Sequence, residues 1–395
     1  MKTVKELIDT LCPNGVPYRT IGELCHISRG VVMSKDYIRE NEGEYPVYSS
    51  QTENNGELGR INTFMFDGEY LTWTTDGANA GSVFYREGKF SVTNVCGLLK
   101  VVDSSINIKF LYYALQIATK PYVSKGMGNA KLMSNVMSTV LVPVPPIEVQ
   151  SEIVSILDDL TRCTNELTDS LNKKLLDRKE QFIYYRDYLF EKVEGKKGKL
   201  IDFLSQPITD GPHTTPIYYN EGVPFVSAAA VFDGRVHLSK AQGFISKEFD
   251  LECSKKYKPK KHDVYMVKSG STTGKVGYVD FDDDFNIWSP LAAMRTNNPI
   301  TSRYIYHLLQ TSFIQKMVLE RMSHGSQPNL SMRVLEQFDV IIPDISRQEE
   351  IVKIMDRYEI VASDILNTIK MKIASISKQY EYYRNKLLTF KELKD

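Results

Sequence analysis

Pro145-Pro146-Ile147-Glu148-Val149-Gln150-Ser151-Glu152-Ile153-Val154 and Pro343-Asp344-Ile345-Ser346-Arg347-Gln348-Glu349-Glu350-Ile351-Val352 lie 198 positions apart. Both have a proline, a glutamine five residues on and an Ile-Val pair. The same offset holds without a gap at Tyr184-Tyr185-Arg186 and Tyr382-Tyr383-Arg384. A match of this length marks an internal repeat. Downstream of each proline, apolar residues recur three and four apart, a heptad-like seam on a helix. In the first copy the seam reads Ile153, Leu157, Leu160, Leu167, Leu171, Leu175, Phe182, Tyr185 and Leu189. In the second it runs from Ile351, Met355 and Tyr358 through Ala362, Ile365, Ile369, Ile373 and Ile376 to Tyr380, Tyr383 and Leu387. The opposite face is charged, as in Asp177-Arg178-Lys179-Glu180. Pro143-Val144-Pro145-Pro146 ends a strand and precedes the first helix, and Pro343 does the same for the second. A helix from Glu148 to Glu191 is roughly 65 Å long. Neither helix can bury such a stripe alone. Antiparallel pairing within the chain is the economical solution, and pairing of each with a separate chain is the other.

Upstream of each helix the repeat is fainter. Asp76-Gly77-Ala78-Asn79-Ala80-Gly81-Ser82-Val83-Phe84-Tyr85 matches Ser269-Gly270-Ser271-Thr272-Thr273-Gly274-Lys275-Val276-Gly277-Tyr278 in a G-x-x-x-G-x-V-x-Y frame. Residues 106–116 match residues 300–310 as a short amphipathic helix with aromatic anchors, and Gly128-Asn129-Ala130-Lys131-Leu132 parallels Ser326-Gln327-Pro328-Asn329-Leu330. Short β-branched and aromatic runs such as Tyr70-Leu71-Thr72-Trp73-Thr74 and Asp263-Val264-Tyr265-Met266-Val267 read as strands between tight loops. The expected fold is therefore α+β: two α/β globular parts, each followed by one of two long, antiparallel, coiled-coil-like helices. The expected boundaries are 1–145, 146–195, 196–343 and 344–395. The globular parts diverge more than the helices, so one scaffold carries two loop surfaces suited to two different ligands.

The 395 residues suit two or three domains. Hydrophobic residues at 42% and charged residues at 25% exclude a disordered tail or a fibre. No apolar run approaches the roughly 18 residues needed to span a bilayer, and no secretory signal is visible. Lys+Arg and Asp+Glu both number 49, which excludes a polycation overall while allowing local basic surfaces. Cys12, Cys25, Cys96, Cys163 and Cys253 show no C-x-x-C pair, so reduced thiols are expected rather than disulfides or a zinc knuckle.

No catalytic constellation stands out. Ser269-Gly270-Ser271-Thr272-Thr273-Gly274-Lys275-Val276 has three residues between its glycines and Val276 after the lysine, which is not a phosphate loop. Asn298-Pro299-Ile300 lacks the aromatic of an amino-methyltransferase motif. His26, His213, His237, His262, His307 and His324 show no metal-ligand spacing, so no metal is expected. Polar loops remain. In the first half they hold Ser50, Gln51, Asn54 and Asn55, then Thr75 and Asn79, then Lys125, Asn129 and Lys131. In the second they hold Thr209, His213 and Thr214, then Lys268, Ser271 and Thr272, then Arg321, His324, Ser326, Gln327 and Asn329. Asn and Gln pair bidentately with adenine, Arg and Lys with guanine, and Ser or Thr with either, so these twenty residues are the candidate DNA contacts. The plain alternative is that such residues simply populate loops. Lys196-Lys197-Gly198-Lys199 and Lys255-Lys256-Tyr257-Lys258-Pro259-Lys260-Lys261 are candidate phosphate-contact clusters, or solvated faces.

In this order, the motifs resemble the specificity subunit of a type I restriction-modification system. The resemblance covers essentially the whole chain. It rests on Leu11-Cys12-Pro13-Asn14-Gly15-Val16-Pro17-Tyr18 with Ile21-Gly22-Glu23-Leu24, and on Tyr45-Pro46-Val47-Tyr48-Ser49-Ser50-Gln51 with Asn54-Asn55-Gly56. The two G-x-x-x-G-x-V-x-Y frames and the two proline–glutamine–Ile-Val helix starts complete it. The resemblance implies a cytoplasmic, non-catalytic subunit with two target-recognition domains, each reading half of a split double-stranded DNA sequence. It implies that the paired helices set the spacer and dock two methyltransferase subunits, which restriction/translocase subunits then join. S-adenosylmethionine, ATP and Mg2+ are then expected in those partners, and no cofactor on this chain. The rival reading is a scaffold protein with two ligand-binding parts on a coiled coil.

Overall fold

A computed structural model describes residues 3–124, 129–323, 325 and 327–393. The chain divides into two compact units, Met1–Ser170 with Met371–Asp395, and Leu171–Lys370. The division cuts through both long helices, Ile147–Glu191 and Ile345–Leu388. Each unit therefore owns a globular part and a stretch of each helix.

In the first unit, a four-stranded antiparallel sheet runs in the order Cys25–Arg29, Cys96–Val101, Tyr70–Thr74, Val83–Arg86. A second sheet pairs Glu42–Tyr48 antiparallel with Glu57–Ile61 and parallel with Lys89–Val92. The second unit repeats this wiring. Thr209–Asp210, Leu291–Met294, Val264–Val267 and Val276–Tyr278 follow the same antiparallel order, and Val223–Val226 lies between antiparallel Gly243–Ile245 and parallel Asn286–Ile287. The central strands are buried on both faces: all five residues of Tyr70–Thr74 and all four of Val264–Val267 are buried. That explains their apolar, β-branched and aromatic composition.

A two-stranded ribbon closes each globular part. Tyr18–Thr20 pairs with Leu141–Pro143 in one unit, and Lys196–Lys199 with Asp339–Ile342 in the other. In the first unit, the Val16 N–H donates to the Lys391 carbonyl and the Leu393 N–H to that of Val16, both at 2.9 Å. The segment at Val16 and the segment at residues 391–393 are thus joined within this unit.

The helix partners are antiparallel within each unit. Leu157 and Leu388 share the first core, and farther along the first helix Thr161 Oγ1 meets Tyr380 Oη at 3.1 Å. In the second, Phe182 stacks on Tyr358 with ring centroids 5.2 Å apart, and Phe190 shares a core with Met355 and Ile351. The seam departs from the expected one at four positions. Leu167 is 49%, Tyr185 45%, Ile365 38% and Tyr383 51% exposed, while Thr161, Thr164, Thr168 and Leu366 are half-buried. A straight helix drifts about 20° per heptad, so the inward stripe passes through threonines that an apolar count skips.

A polar clasp ties the short helix of each globular part to its long helix. In the first unit Asp158 accepts from Lys109 Nζ at 2.9 Å and Tyr113 Oη at 2.7 Å. In the second Asp356 binds Arg303 Nε and His307 Nε2, both at 2.7 Å, and Arg303 also reaches Glu359 at 2.8 Å. His307, Asp356 and Glu359 stand close enough to share a cation, and Arg303 pairs with one oxygen of each carboxylate. Asn107 and Asn298 cap these short helices with their side-chain oxygens. That capping role accounts for Asn298-Pro299. Among the described residues no helix is long and apolar enough to cross a membrane. All five cysteines are free, and burial pushes the Cys25 thiol up to about 12.

Candidate nucleic-acid interface

The strand Tyr70–Thr74 runs into the first glycine frame. Gly77 and Gly81 have φ of +99° and +84°, and Gly270 and Gly274 have +96° and +94°. Only glycine adopts this conformation without strain, and the result is one turn in both units. The Gly81 N–H returns to the Thr74 carbonyl at 2.9 Å, and Gly274 to Val267 at 2.8 Å. A second segment is laced to each turn. In the first unit Gly77 donates to Ala130 at 3.0 Å and Leu132 to Thr75 at 2.8 Å. In the second Gly270 donates to Pro328 at 2.9 Å and Leu330 to Lys268 at 2.7 Å. The backbone network is therefore the same, residue for residue, beneath different side chains.

In the first unit the third polar loop joins them. Asn79 Nδ2 donates to Thr52 Oγ1 at 2.9 Å, and Thr74 Oγ1 to the Ser50 carbonyl at 3.4 Å. Asn54, Asn55, Asn79, Asn129 and Lys131 are exposed on this cluster, and Ser50 and Gln51 are half-buried. The Gln51 amide is committed to the Glu57 carbonyl. Asn54 and Asn55 adopt left-handed φ of 48° and 52°, which asparagine tolerates best among non-glycine residues. Thr75 is different: it has no exposed surface, and its hydroxyl donates to Val95 at 3.0 Å. It shapes the turn from inside. Lys125 lies outside the described residues.

In the second unit His213, Thr214, Ser271, Arg321, Gln327 and Asn329 are exposed, and Thr209, Thr272 and Lys268 half-buried. His324 and Ser326 lie outside the described residues. Asp210, which residue type alone did not single out, organises the floor. Its carboxylate is 1% exposed and bonds Lys256 Nζ, with Lys268 Nζ at 3.4 Å and His213 Nε2 at 3.2 Å. The tether explains why Lys268 is held low: its side chain is 12% exposed. Much of the Lys255–Lys261 cluster is neutralised within the unit. Lys258 pairs with Asp250 at 3.0 Å and Asp284 at 2.5 Å, and Lys261 with Asp282 at 2.7 Å. Burial works against the Lys258 charge, but those carboxylates outweigh it and raise its pKa. Lys199 likewise pairs with Asp339 at 2.6 Å.

Each unit thus presents polar, hydrogen-bonding side chains on a turn fixed by backbone bonds. A family model described as the type I restriction modification DNA specificity domain matches residues 13–177 and again residues 209–375. The chain belongs to this family. It carries the recognition domain twice, once in each half of the sequence. A Mycoplasma pneumoniae protein named as a type I specificity subunit is 31% identical over 379 residues, spanning 94% of this chain and 97% of its own length. The specificity subunit of the type I restriction enzyme MpnII, also from M. pneumoniae, is 42% identical over 184 residues, 46% of this chain and 56% of that protein. Among solved structures, a chain from work on complex assembly and conformational transition of the type I restriction-modification system matches with a TM-score of 0.71 at 13% identity, covering 95% of this chain and 98% of that one. That likeness concerns the fold, and it agrees with the α+β architecture of globular parts and paired long helices.

Proposed function

We propose that each loop cluster reads one half of a split DNA target, while the paired helices act as spacer and dock two methyltransferase subunits. The observation that carries the reading is the shared hydrogen-bond frame of Gly77 and Gly270 beneath unlike side chains. A fixed frame with variable side chains suits a module whose scaffold is constant and whose target varies. Side chains specify at base edges while phosphate contacts set register. Two readers on one chain bind together when their half-sites lie about one helical turn apart, or a multiple.

Docking of two identical partners is supported by a second repeat, that of exposure. Ile147 and Ile345 are 42% and 41% exposed, and Tyr184 and Tyr382 are 63% and 61% exposed. Leu167 and Ile365 also pair at the offset of 198. Large apolar side chains at matched solvent positions suit one partner surface used twice. The chain contributes no catalytic group in this reading. S-adenosylmethionine, ATP and Mg2+ serve the methyltransferase and restriction/translocase partners, and the complex works in the cytoplasm.

The test is modified-base mapping of host DNA with and without the gene. A split motif carrying modified adenine that disappears on deletion supports the reading. An unchanged set of motifs, together with no methyltransferase on purification of the intact chain, refutes it.

A further inference from the structure

Arg86 ends the edge strand Val83–Arg86 and is 2% exposed. Its guanidinium lies 3.6 Å above the ring of Tyr48 and 4.7 Å from that of Phe84. Nε donates to Thr72 Oγ1 at 3.1 Å. Among the described residues no acceptor stands in hydrogen-bond geometry to Nη1 or Nη2 and no carboxylate forms an ion pair with the group; the Tyr48 hydroxyl is near enough to favour the charge but does not complete a bond. Arginine stays charged at neutral pH even when burial draws its pKa down, as it does here. A buried, unpaired guanidinium is among the least favourable groups a core can hold. Packing alone does not call for it, because a methionine would fill the slot between two aromatic rings. The position is also specific: a Cβ on Gly56 would stand 3.0 Å from Nη2. The free edge of Arg86 therefore lies directly beneath Gly56, in the polar loop that bears Asn54 and Asn55.

We propose that Arg86 is a DNA phosphate-binding residue of the first unit, covered by residues 49–56 and reached when DNA displaces that loop. The inference rests on the DNA-reading role proposed above. With the guanidinium packed against the Tyr48 and Phe84 rings and Nε bound to Thr72, Nη1 and Nη2 are left to offer two N–H donors. Paired donors match two oxygens of a phosphate. The second unit has no such group at the matching place: the frame's offset of 193 brings Arg86 onto Val279, which is buried. The contact belongs to one half-site.

The experiment compares wild type, Arg86→Met and Arg86→Lys, each as the full chain with its methyltransferase partner. The probe is a duplex carrying the motif mapped for wild type, titrated across a salt series. Arg86→Met is expected to melt no lower than wild type, because it removes an unpaired charge. It is expected to bind roughly ten- to a hundred-fold more weakly, with a salt slope shallower by about one. Arg86→Lys is expected to keep the wild-type slope. A wild-type slope for Arg86→Met overturns the proposal, as does a lowered melting temperature or a loss confined to one base position. Failure of the wild-type complex to bind its mapped duplex brings down the DNA-reading role itself, and this proposal with it.

Discussion

The side-chain amide of Gln150 donates to the carbonyl of Pro145 at 2.7 Å, closing the start of the first long helix on itself. The same side chain donates to Ser105 at 2.8 Å and accepts from the Asn107 N–H at 2.7 Å. One buried glutamine thus ties the helix to the capped start of the short helix. Gln348 repeats the bond to Pro343 at 2.8 Å, but its Oε1 finds no partner among the described residues. The spacing of proline and glutamine in the sequence is the imprint of this bond.

Gln150→Ala is expected to destabilise the first unit by about 3 kcal/mol, since it strands the buried Pro145 carbonyl and two part-buried backbone groups, the Ser105 carbonyl and the Asn107 N–H. Gln348→Ala, which strands fewer, should cost about 1–2 kcal/mol in the second. The two tryptophans report separately, Trp73 in the first unit and Trp288 in the second. Denaturant unfolding of Trp73→Phe and Trp288→Phe backgrounds resolves the two effects. Equal losses at both sites would contradict the hydrogen-bond count.

Acid should weaken the second unit selectively. His307 is 1% exposed, and burial pulls its pKa below the ordinary value of 6.5 despite the pull of Asp356. The groups facing it are Arg303, Tyr306, Asp356 and Glu359. Above that value His307 is neutral folded or unfolded, and its titration contributes nothing. Below it the unfolded chain takes up a proton that the folded chain resists, so stability falls as pH drops, by at most about 1.4 kcal/mol per pH unit. Burial pushes Asp356 up, but its bonds to His307 and Arg303 outweigh this and lower its pKa, so that carboxylate holds its charge through the window. The first unit has Tyr113 at this place, which does not titrate there. Trp288 fluorescence between pH 7 and pH 5 should show the loss, Trp73 should not, and His307→Tyr should abolish it.

Exposed loop residues should alter one half of the target at a time. Asn79→Ala is expected to relax the first half-site, and Gln327→Ala or Asn329→Ala the second, by about 1–3 kcal/mol of discrimination each. Adenine-modification maps from strains carrying each variant give the answer directly. A uniform loss of modification at every site would show a structural effect instead.

Tyr184 and Tyr382 should each serve one partner copy. Removing an exposed aromatic anchor from an interface typically costs about 2 kcal/mol or more. Tyr184→Ala and Tyr382→Ala are each expected to lower methyltransferase stoichiometry from two to one, and the double variant to zero. Mass measurement of the purified complexes checks this, with unchanged helical circular dichroism as the control for folding.

The helix repeat was legible because burial writes the same period into both copies, and the glycine frame because its turn admits little else. The loop surfaces were legible as surfaces but not as sites. Thr75 and Lys268 occupy matched places in the frame, yet one is buried and the other is drawn down by Asp210. Residue type does not reveal such a partner. Lys258 and Lys261 looked like part of a basic patch because Asp250, Asp282 and Asp284, which neutralise them, are distant or scattered in sequence.

The amino-acid sequence by itself determined the twofold repeat, the two long helices with their proline–glutamine starts, and the turn that carries the loops. These features depend on local periodicity and on backbone conformations that few residues adopt. Only the tertiary structure decided which polar groups are spent inside each unit, which threonines face inward along the helices, and that Arg86 lies unpaired beneath Gly56. Those outcomes depend on neighbours brought together by folding, where burial turns an ordinary charge or hydroxyl into a group that must find a partner.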